Sequence, residues 1–192
     1  MTKELKPRLV SLDVFRGMTI FLMIIVNTPG AGAEPYAPLL HAEWHGLTLT
    51  DLVFPSFLFA VGTAIPFAGS TLTKLSNRTR ILKILRRTIL IFLIGYFLNW
   101  YTSMHWVEGR HIGFVPINRL RILGVLQRIA LCYFIAAVLS IYFKTKQLVW
   151  ISAILLLAYW LLLRWGSESA DPYSILGNLA RRIDVAIIGE PR

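Results

Sequence analysis

The amino-acid sequence predicts an all-α fold, a polytopic transmembrane helix bundle with about five spans. Of the 192 residues, 56% are hydrophobic and 16% are charged, and the mean hydropathy is +0.61. Soluble domains hold about 25% charged residues. The apolar residues also cluster in long segments that come near the roughly 17–25 residues needed to cross the hydrocarbon layer. Composition and segment length together therefore predict a membrane protein.

The five predicted spans follow each other along the chain with short connections. They are residues 9–27, 47–68, 86–105, 120–143 and 148–164. The first two form a hairpin, whose connecting loop is rich in proline, glycine and alanine. Basic and apolar residues alternate just before the third span, which is typical of a helix that enters through the headgroup layer.

The end of the chain predicts an external amphipathic segment at about 173–188. Its apolar residues have helical spacing, but charged residues lie beside them and the segment is too short to span a bilayer. The sequence stops at GEPR after five predicted spans, and no terminal structure follows that point. We therefore interpret residues 1–192 as the N-terminal part of a longer transmembrane domain.

The net charge of +10 reflects membrane topology rather than nucleic-acid binding. If the spans alternate, eleven of the Lys and Arg residues fall on one side of the membrane, whereas residues 29–46 contain none. Cytoplasmic loops carry the excess of positive charge. The N-terminus is therefore predicted to be cytoplasmic and His41 external, with anionic lipid as the counter-charge.

Several charged residues lie inside the predicted spans, where charges are rare and usually face a bundle interior or an aqueous cavity. Asp13 and Arg16 share one helix face, either as a self-neutralising pair or as a polar floor for a cytoplasmic nucleotide. Arg121 and Arg128 share a face of the fourth span, and Asp51 lies at a similar depth in the second. Because an unpaired buried charge is costly, we predict an ion pair between Asp51 and Arg128. The alternative is a contact with a substrate or cofactor.

Two histidines precede the second span in the stretch HAEWHGLTLTDLVFP. His41 and His45 have the spacing of metal ligands on a helix, but Gly46 opposes a helix there and no third ligand is nearby. We therefore predict no metal. Solvent exposure is the default for an interfacial histidine. Near buried polar groups, however, an imidazole also suits a general base or an acyl carrier.

Three segments in this order resemble a known family. They are RLVSLDVFRGMTIFLMIIVN, then HAEWHGLTLTDLVFPSFLFAVGTAI, then RLRILGVLQRIALCYF. Together they resemble the heparan-α-glucosaminide N-acetyltransferase family and its bacterial relatives, and the LDxxRG start resembles the broader transmembrane acyltransferase superfamily. The resemblance covers nearly all of this chain but only about half of a family member.

The resemblance implies an enzyme that moves an acetyl group from cytoplasmic acetyl-CoA to an external amino sugar or glycan. It implies that His41, which opens the HxxW motif, is catalytic, together with Asn27 at the end of the first span. His45 departs from the asparagine that is frequent in that branch. His41 would either deprotonate the attacking amine or carry the acetyl group.

The expected donor substrate is acetyl-CoA, a cytoplasmic polyanion. Arg16, Arg86 and Arg87 lie toward the predicted inner face, and arginine commonly binds phosphate. The expected location is the cell (inner) membrane, with lipid as a partner, no nucleic acid, and a homodimer as a candidate assembly. The competing class is a non-enzymatic transporter or scaffold, although a transporter would favour matched internal repeats, which we do not see.

Overall fold

The structure, a computed structural model, consists mainly of α-helices. It describes residues 9–28, 30, 36–72, 75–101, 105–107, 111–113, 123–167 and 171–188. The helices in these ranges are α1 (Val10–Asn27), α2 (Leu49–Leu72), α3 (Asn77–Tyr101), α4 (Val125–Tyr142), α5 (Thr145–Gly166) and α6 (Leu179–Ile188). The all-α prediction is confirmed.

A short antiparallel hairpin between α3 and α4 adds to the predicted elements. Strand β1 (His105–Val107) pairs with strand β2 (His111–Gly113), and Trp106 lies opposite Ile112. Of this hairpin, only His105 falls within a predicted span, the third.

Four of the described helices are long and apolar enough to cross a membrane. They cover Val10–Asn27, Leu49–Phe67, Val125–Tyr142 and Thr145–Gly166. These correspond to the first, second, fourth and fifth predicted spans. The start of the predicted fourth span, residues 120–122, lies outside the described residues.

The predicted third span, 86–105, differs from the structure at both ends. Helix α3 begins at Asn77 and ends at Tyr101, so the basic stretch and the apolar stretch form one continuous helix. No proline or glycine separates the two stretches, and nothing in the sequence stops the helix between them. The basic first turns explain why α3 is not among the four helices above.

Helices α1 and α2 pack against each other as a hairpin. The ring of Phe15 meets the ring of Phe59 edge-on, with centroids 5.6 Å apart. Thr19 is 2% exposed, and its hydroxyl donates to the Phe15 carbonyl at 2.8 Å, which satisfies it within its own helix. Helix α2 continues through Pro55 and Pro66, the residues at which the sequence predicts a kink.

Helices α3 and α4 also contact each other and run in opposite directions. Gly95 lies against Leu126, near the start of α4, and a Cβ atom added to it would be 2.7 Å from the Leu126 Cβ. The Arg87 guanidinium lies over the ring of Tyr133, 5.1 Å from its centroid. Gly95 contacts Leu126, whereas Arg87, eight residues earlier in α3, contacts Tyr133, seven residues later in α4. The two helices are therefore antiparallel.

Replacing Gly95 with alanine is expected to destabilise this helix pair by about 1–3 kcal/mol, because overpacking forces side chains and backbone to shift. The measurement is thermal unfolding in detergent. Gly62→Ala is the matched control, since nothing lies within 4 Å of the Cβ position of Gly62 in α2. Equal melting temperatures for the two variants would contradict the close approach at Gly95.

The chain divides into two compact units, Met1–Ile141 and Tyr142–Arg192. In the second unit, Leu179 packs directly against Gly166, where α6 meets the end of α5. The Asn178 side chain accepts the Arg181 N–H at 2.7 Å and so fixes the start of α6. The predicted amphipathic segment 173–188 is therefore helical from Leu179, and turns precede it.

Candidate active site

The start of α2 is set by a local hydrogen-bond pattern in the sequence TLTD. The Asp51 Oδ2 accepts the Thr48 backbone N–H at 3.0 Å and the Thr48 hydroxyl at 3.0 Å. A carboxylate that reaches back to the residue before the helix is one half of a capping box. An acidic residue in the first turn also interacts favourably with the helix dipole.

The same carboxylate binds His41, ten residues earlier in the chain. The Nδ1 atom of His41 lies 2.6 Å from the Asp51 Oδ1, and Oδ2 also accepts the Ala42 N–H at 3.3 Å. In a neutral imidazole, donation from Nδ1 leaves Nε2 as the basic nitrogen. The Asp51 side chain is 24% exposed and the His41 side chain 75%, so the carboxylate is partly sheltered while the ring is open to a reactant.

The connecting loop is bent so that residue 41 can meet residue 51. Gly46 has φ +131°, a conformation that glycine adopts without a steric penalty. The Thr50 hydroxyl donates to the Leu39 carbonyl at 2.7 Å and ties the loop to the first turn of α2. The HxxWxG pattern thus ends in the glycine that the bend requires.

His45 has different surroundings from His41. Its ring lies edge-on to the Trp44 ring, with centroids 6.4 Å apart, and the residue is exposed. Of the two histidines, the structure joins His41 to the carboxylate of Asp51. The geometry therefore separates two residues that the sequence alone presents as similar.

The predicted ion pair between Asp51 and Arg128 is wrong. Among the described residues, the Asp51 carboxylate contacts the His41 ring, and no ion pair joins it to Arg128. The loop and the first turn of α2 already occupy both oxygens of the carboxylate. Arg128 lies in the first turn of α4 and is exposed, and Arg121 lies outside the described residues.

Asn27 is the last residue of α1, and its side-chain amide donates to the Met23 carbonyl at 2.8 Å. At a rise of 1.5 Å per residue, Asn27 lies about 18 Å along α1 from Phe15, and Asp51 about 12 Å along α2 from Phe59. Since Phe15 and Phe59 are in contact, Asn27 and Asp51 lie at the same end of the hairpin. No hydrogen bond joins Asn27 to His41 within the described part of the chain.

The predicted donor-binding arginines lie on two helices and are all exposed. Arg16 lies on α1, one turn after Asp13 and nearer the other end of the hairpin from Asn27. Arg86 and Arg87 lie on α3. Arg87 contacts Tyr133, which is the ninth of the 18 residues of α4. Arg87 is therefore level with the middle of an apolar helix. The sequence predicts a shallower position for Arg87, at the inner face.

Comparison with known proteins agrees with the segments singled out above. A family model described as "Heparan-alpha-glucosaminide N-acetyltransferase, catalytic" matches residues 8–176. The chain is 39% identical over 142 residues to heparan-alpha-glucosaminide N-acetyltransferase of Homo sapiens, and 37% identical over 139 residues to that of Mus musculus. The matches cover 72% and 71% of this chain and 20% of each relative, so they span a fifth of the relatives' length.

Proposed function

The chain belongs to the heparan-alpha-glucosaminide N-acetyltransferase family, and we propose that it forms part of a membrane acyltransferase. The donor is acetyl-CoA at the cytoplasmic face, and the acceptor is an amino sugar or glycan at the external face. The names of the relatives support both N-acetyl transfer and a glucosaminide acceptor. The single observation that carries the proposal is the 2.6 Å contact between His41 and Asp51.

His41 acts as the general base in this proposal. A protonated amine is not nucleophilic, so the acceptor must lose a proton as it attacks the thioester carbonyl. The C–N bond forms, the C–S bond breaks, and the amine proton moves to Nε2 of His41 and from there to the departing thiolate. Asp51 holds the ring in the required tautomer and stabilises the imidazolium that forms.

Asn27 supplies a second polar group at the same end of the α1–α2 hairpin. One hydrogen of its amide is used by the Met23 carbonyl, and an amide carries two. We assign the second hydrogen to the oxygen of the thioester carbonyl, where negative charge develops during attack. Fixed donors aimed at such an oxygen are a major source of rate enhancement.

Arg16, Arg86 and Arg87 bind the phosphates of CoA in this proposal. Their exposed guanidinium groups match phosphate, which arginine binds with two parallel hydrogen bonds. The depth of Arg87, level with Tyr133, supports a route by which the thioester reaches beyond the inner face of the bilayer. Ionisable groups at such depths mark substrate pathways in many membrane proteins.

The membrane topology proposed for this transfer has a cytoplasmic N-terminus and an external His41 in the cell (inner) membrane. The four apolar helices support insertion, and the absence of Lys and Arg from residues 29–46 supports the orientation. Asp13 and Arg128 are exposed in this part of the chain, and we assign them a structural role as polar groups of the complete helix bundle.

Sealed, right-side-out membrane vesicles test the proposal directly. Vesicles that contain the complete protein are loaded with labelled acetyl-CoA and suspended in glucosamine. We expect labelled N-acetylglucosamine in the external medium, because the acceptor and His41 share that face. Empty vesicles carrying the same lipids are the control. Product that forms only when both substrates are on one side would contradict transfer across the membrane.

A further inference from the structure

A buried glutamine carboxamide without a hydrogen-bond partner lies where α3 meets α4. Gln127 is 0% exposed, and neither its Nε2 nor its Oε1 has a partner among the described residues. Nearly all buried amide groups in folded proteins are hydrogen-bonded to protein or to a bound group, because leaving them unsatisfied is costly. The carboxamide of Gln127 is therefore suited to a ligand.

Two glycines allow the backbone to lie directly against this carboxamide. A Cβ atom at Gly124 would lie 2.6 Å from the Gln127 Oε1 and 2.6 Å from the Asn99 Nδ2. A Cβ atom at Gly95 would lie 3.0 Å from the same Oε1. Two side-chain amides thus converge on one small region, and they can lie there because neither glycine carries a Cβ atom.

This region lies at the level of the His41–Asp51 pair in the topology proposed above. Gln127 is the third residue of α4, and Asp51 is the third residue of α2. Helices α2 and α4 both begin at the external face if successive helices alternate in direction. The carboxamide is then at the same side and depth as the proposed base, and the inference rests on the proposed function to that extent.

We propose that Gln127, together with Asn99, binds hydroxyl groups of the acceptor sugar. A carboxamide offers one acceptor oxygen and an amide donor, so two neighbouring sugar hydroxyls satisfy it, one donating to Oε1 and one accepting from Nε2. Asn99 and Gly124 are partly exposed, and the hydroxyls enter on their side. Ordered water has the same hydroxyl chemistry and is the other source of such groups.

The site makes Gln127 a specificity-determining residue. The carboxamide is neutral and lies apart from the reacting amine, so it acts on the affinity for the acceptor rather than on proton transfer. A buried polar group that is paired only by the correct substrate discriminates strongly against analogues that lack the matching hydroxyl. It thereby selects a polyhydroxylated amine over a simple alkylamine.

The test uses Gln127→Met in the complete protein, with glucosamine as the probe. A ligand that binds the folded state raises its melting temperature. We expect glucosamine to raise the melting temperature of the unmodified protein but not of Gln127→Met. The KM for glucosamine should rise about tenfold, as expected from the loss of one or two hydrogen bonds. The kcat and the KM for acetyl-CoA should stay unchanged.

Gly124→Ala is the second variant. Its methyl group would lie 2.6 Å from both Gln127 Oε1 and Asn99 Nδ2, so the flexible ends of these two side chains must shift away from the hydroxyl site while the fold is retained. It should raise the KM for glucosamine as Gln127→Met does. Gln147→Met is the matched control. Gln147 is exposed at the start of α5, where it accepts the Lys144 N–H at 2.8 Å. The KM of this variant for glucosamine should equal that of the unmodified protein.

The outcomes separate this inference from the proposed function. If no acetyl transfer is detected but the glucosamine-induced shift depends on Gln127, the proposed reaction fails and the hydroxyl site stands. If Gln127→Met retains the shift and the KM, the site is refuted. If Gln127→Met melts lower without glucosamine and its KM is unchanged, ordered water is the partner and the site is likewise refuted.

Discussion

Replacing His41 with alanine is expected to lower acetyl transfer by about 10²–10⁴-fold, the usual contribution of a general base. The variant loses Nε2, the basic nitrogen that the Asp51 contact leaves available. The His41 side chain is 75% exposed, so its removal costs little packing and the protein should still insert and fold. The measurement is transfer from labelled acetyl-CoA to glucosamine by the purified, complete protein.

His45→Ala is the matched control for this variant. It removes the same side chain four residues later, from a position where the ring meets Trp44 rather than Asp51. We expect a rate close to that of the unmodified protein. A larger loss at His45 than at His41 would assign the base to the other histidine, and no loss at either would favour a transporter or scaffold.

Asp51→Asn is expected to lower kcat by about 10²-fold or more, since groups that orient a catalytic imidazole have effects of this size. The amide keeps the shape of the carboxylate but loses its charge, so the imidazolium is no longer stabilised. The ring can then also adopt the tautomer with the proton on Nε2. The KM for acetyl-CoA should not change, because Arg16 follows Phe15, whose contact Phe59 lies about 12 Å along α2 from Asp51.

A structural control separates the charge of Asp51 from its role in the loop. Thr50→Val removes the hydroxyl that donates to the Leu39 carbonyl and loosens the loop, but leaves the carboxylate in place. It should lower the melting temperature and change kcat little. A loss of kcat at Thr50→Val as large as that at Asp51→Asn would show that the loop, and not the carboxylate, determines the rate.

Apolar segment length was sufficient to predict most of the fold. The helices around the first, second, fourth and fifth predicted spans all follow from the number of residues needed to cross hydrocarbon. Helix α3 did not follow, because its basic and apolar halves have different hydropathy while its backbone has no reason to break at Arg86. Hydropathy measures the membrane preference of a segment, whereas the backbone decides where a helix ends.

The partner of Asp51 was missed for a different reason. Similar depth in the predicted spans favours a pair between Asp51 and Arg128. The signal for the observed partner was local: Thr48 and Asp51 have the spacing of a capping box, which turns the carboxylate back toward the preceding loop. The bend at Gly46 then brings His41 to it, and a positive φ cannot be read from residue type alone.

The candidate site therefore combines residues that sequence and structure identify in different ways. The family resemblance implies roles for His41 and Asn27, and the structure adds Asp51 as the hydrogen-bond partner of His41. The sequence does not single out Gln127. A glutamine in an apolar helix carries no pattern that indicates whether its carboxamide is buried or has a hydrogen-bond partner. Only the packing of Gly95 and Gly124 around its carboxamide reveals it.

The most direct test of the His41–Asp51 unit compares kcat for four forms of the complete protein: unmodified, His41→Ala, Asp51→Asn and the double variant. Residues that act as one catalytic unit show strongly non-additive losses. If Asp51 acts only through the imidazole, the double variant should transfer acetyl groups at the same rate as His41→Ala alone. If the losses of the two single variants multiply in the double variant, Asp51 and His41 act independently and the proposed pair is refuted.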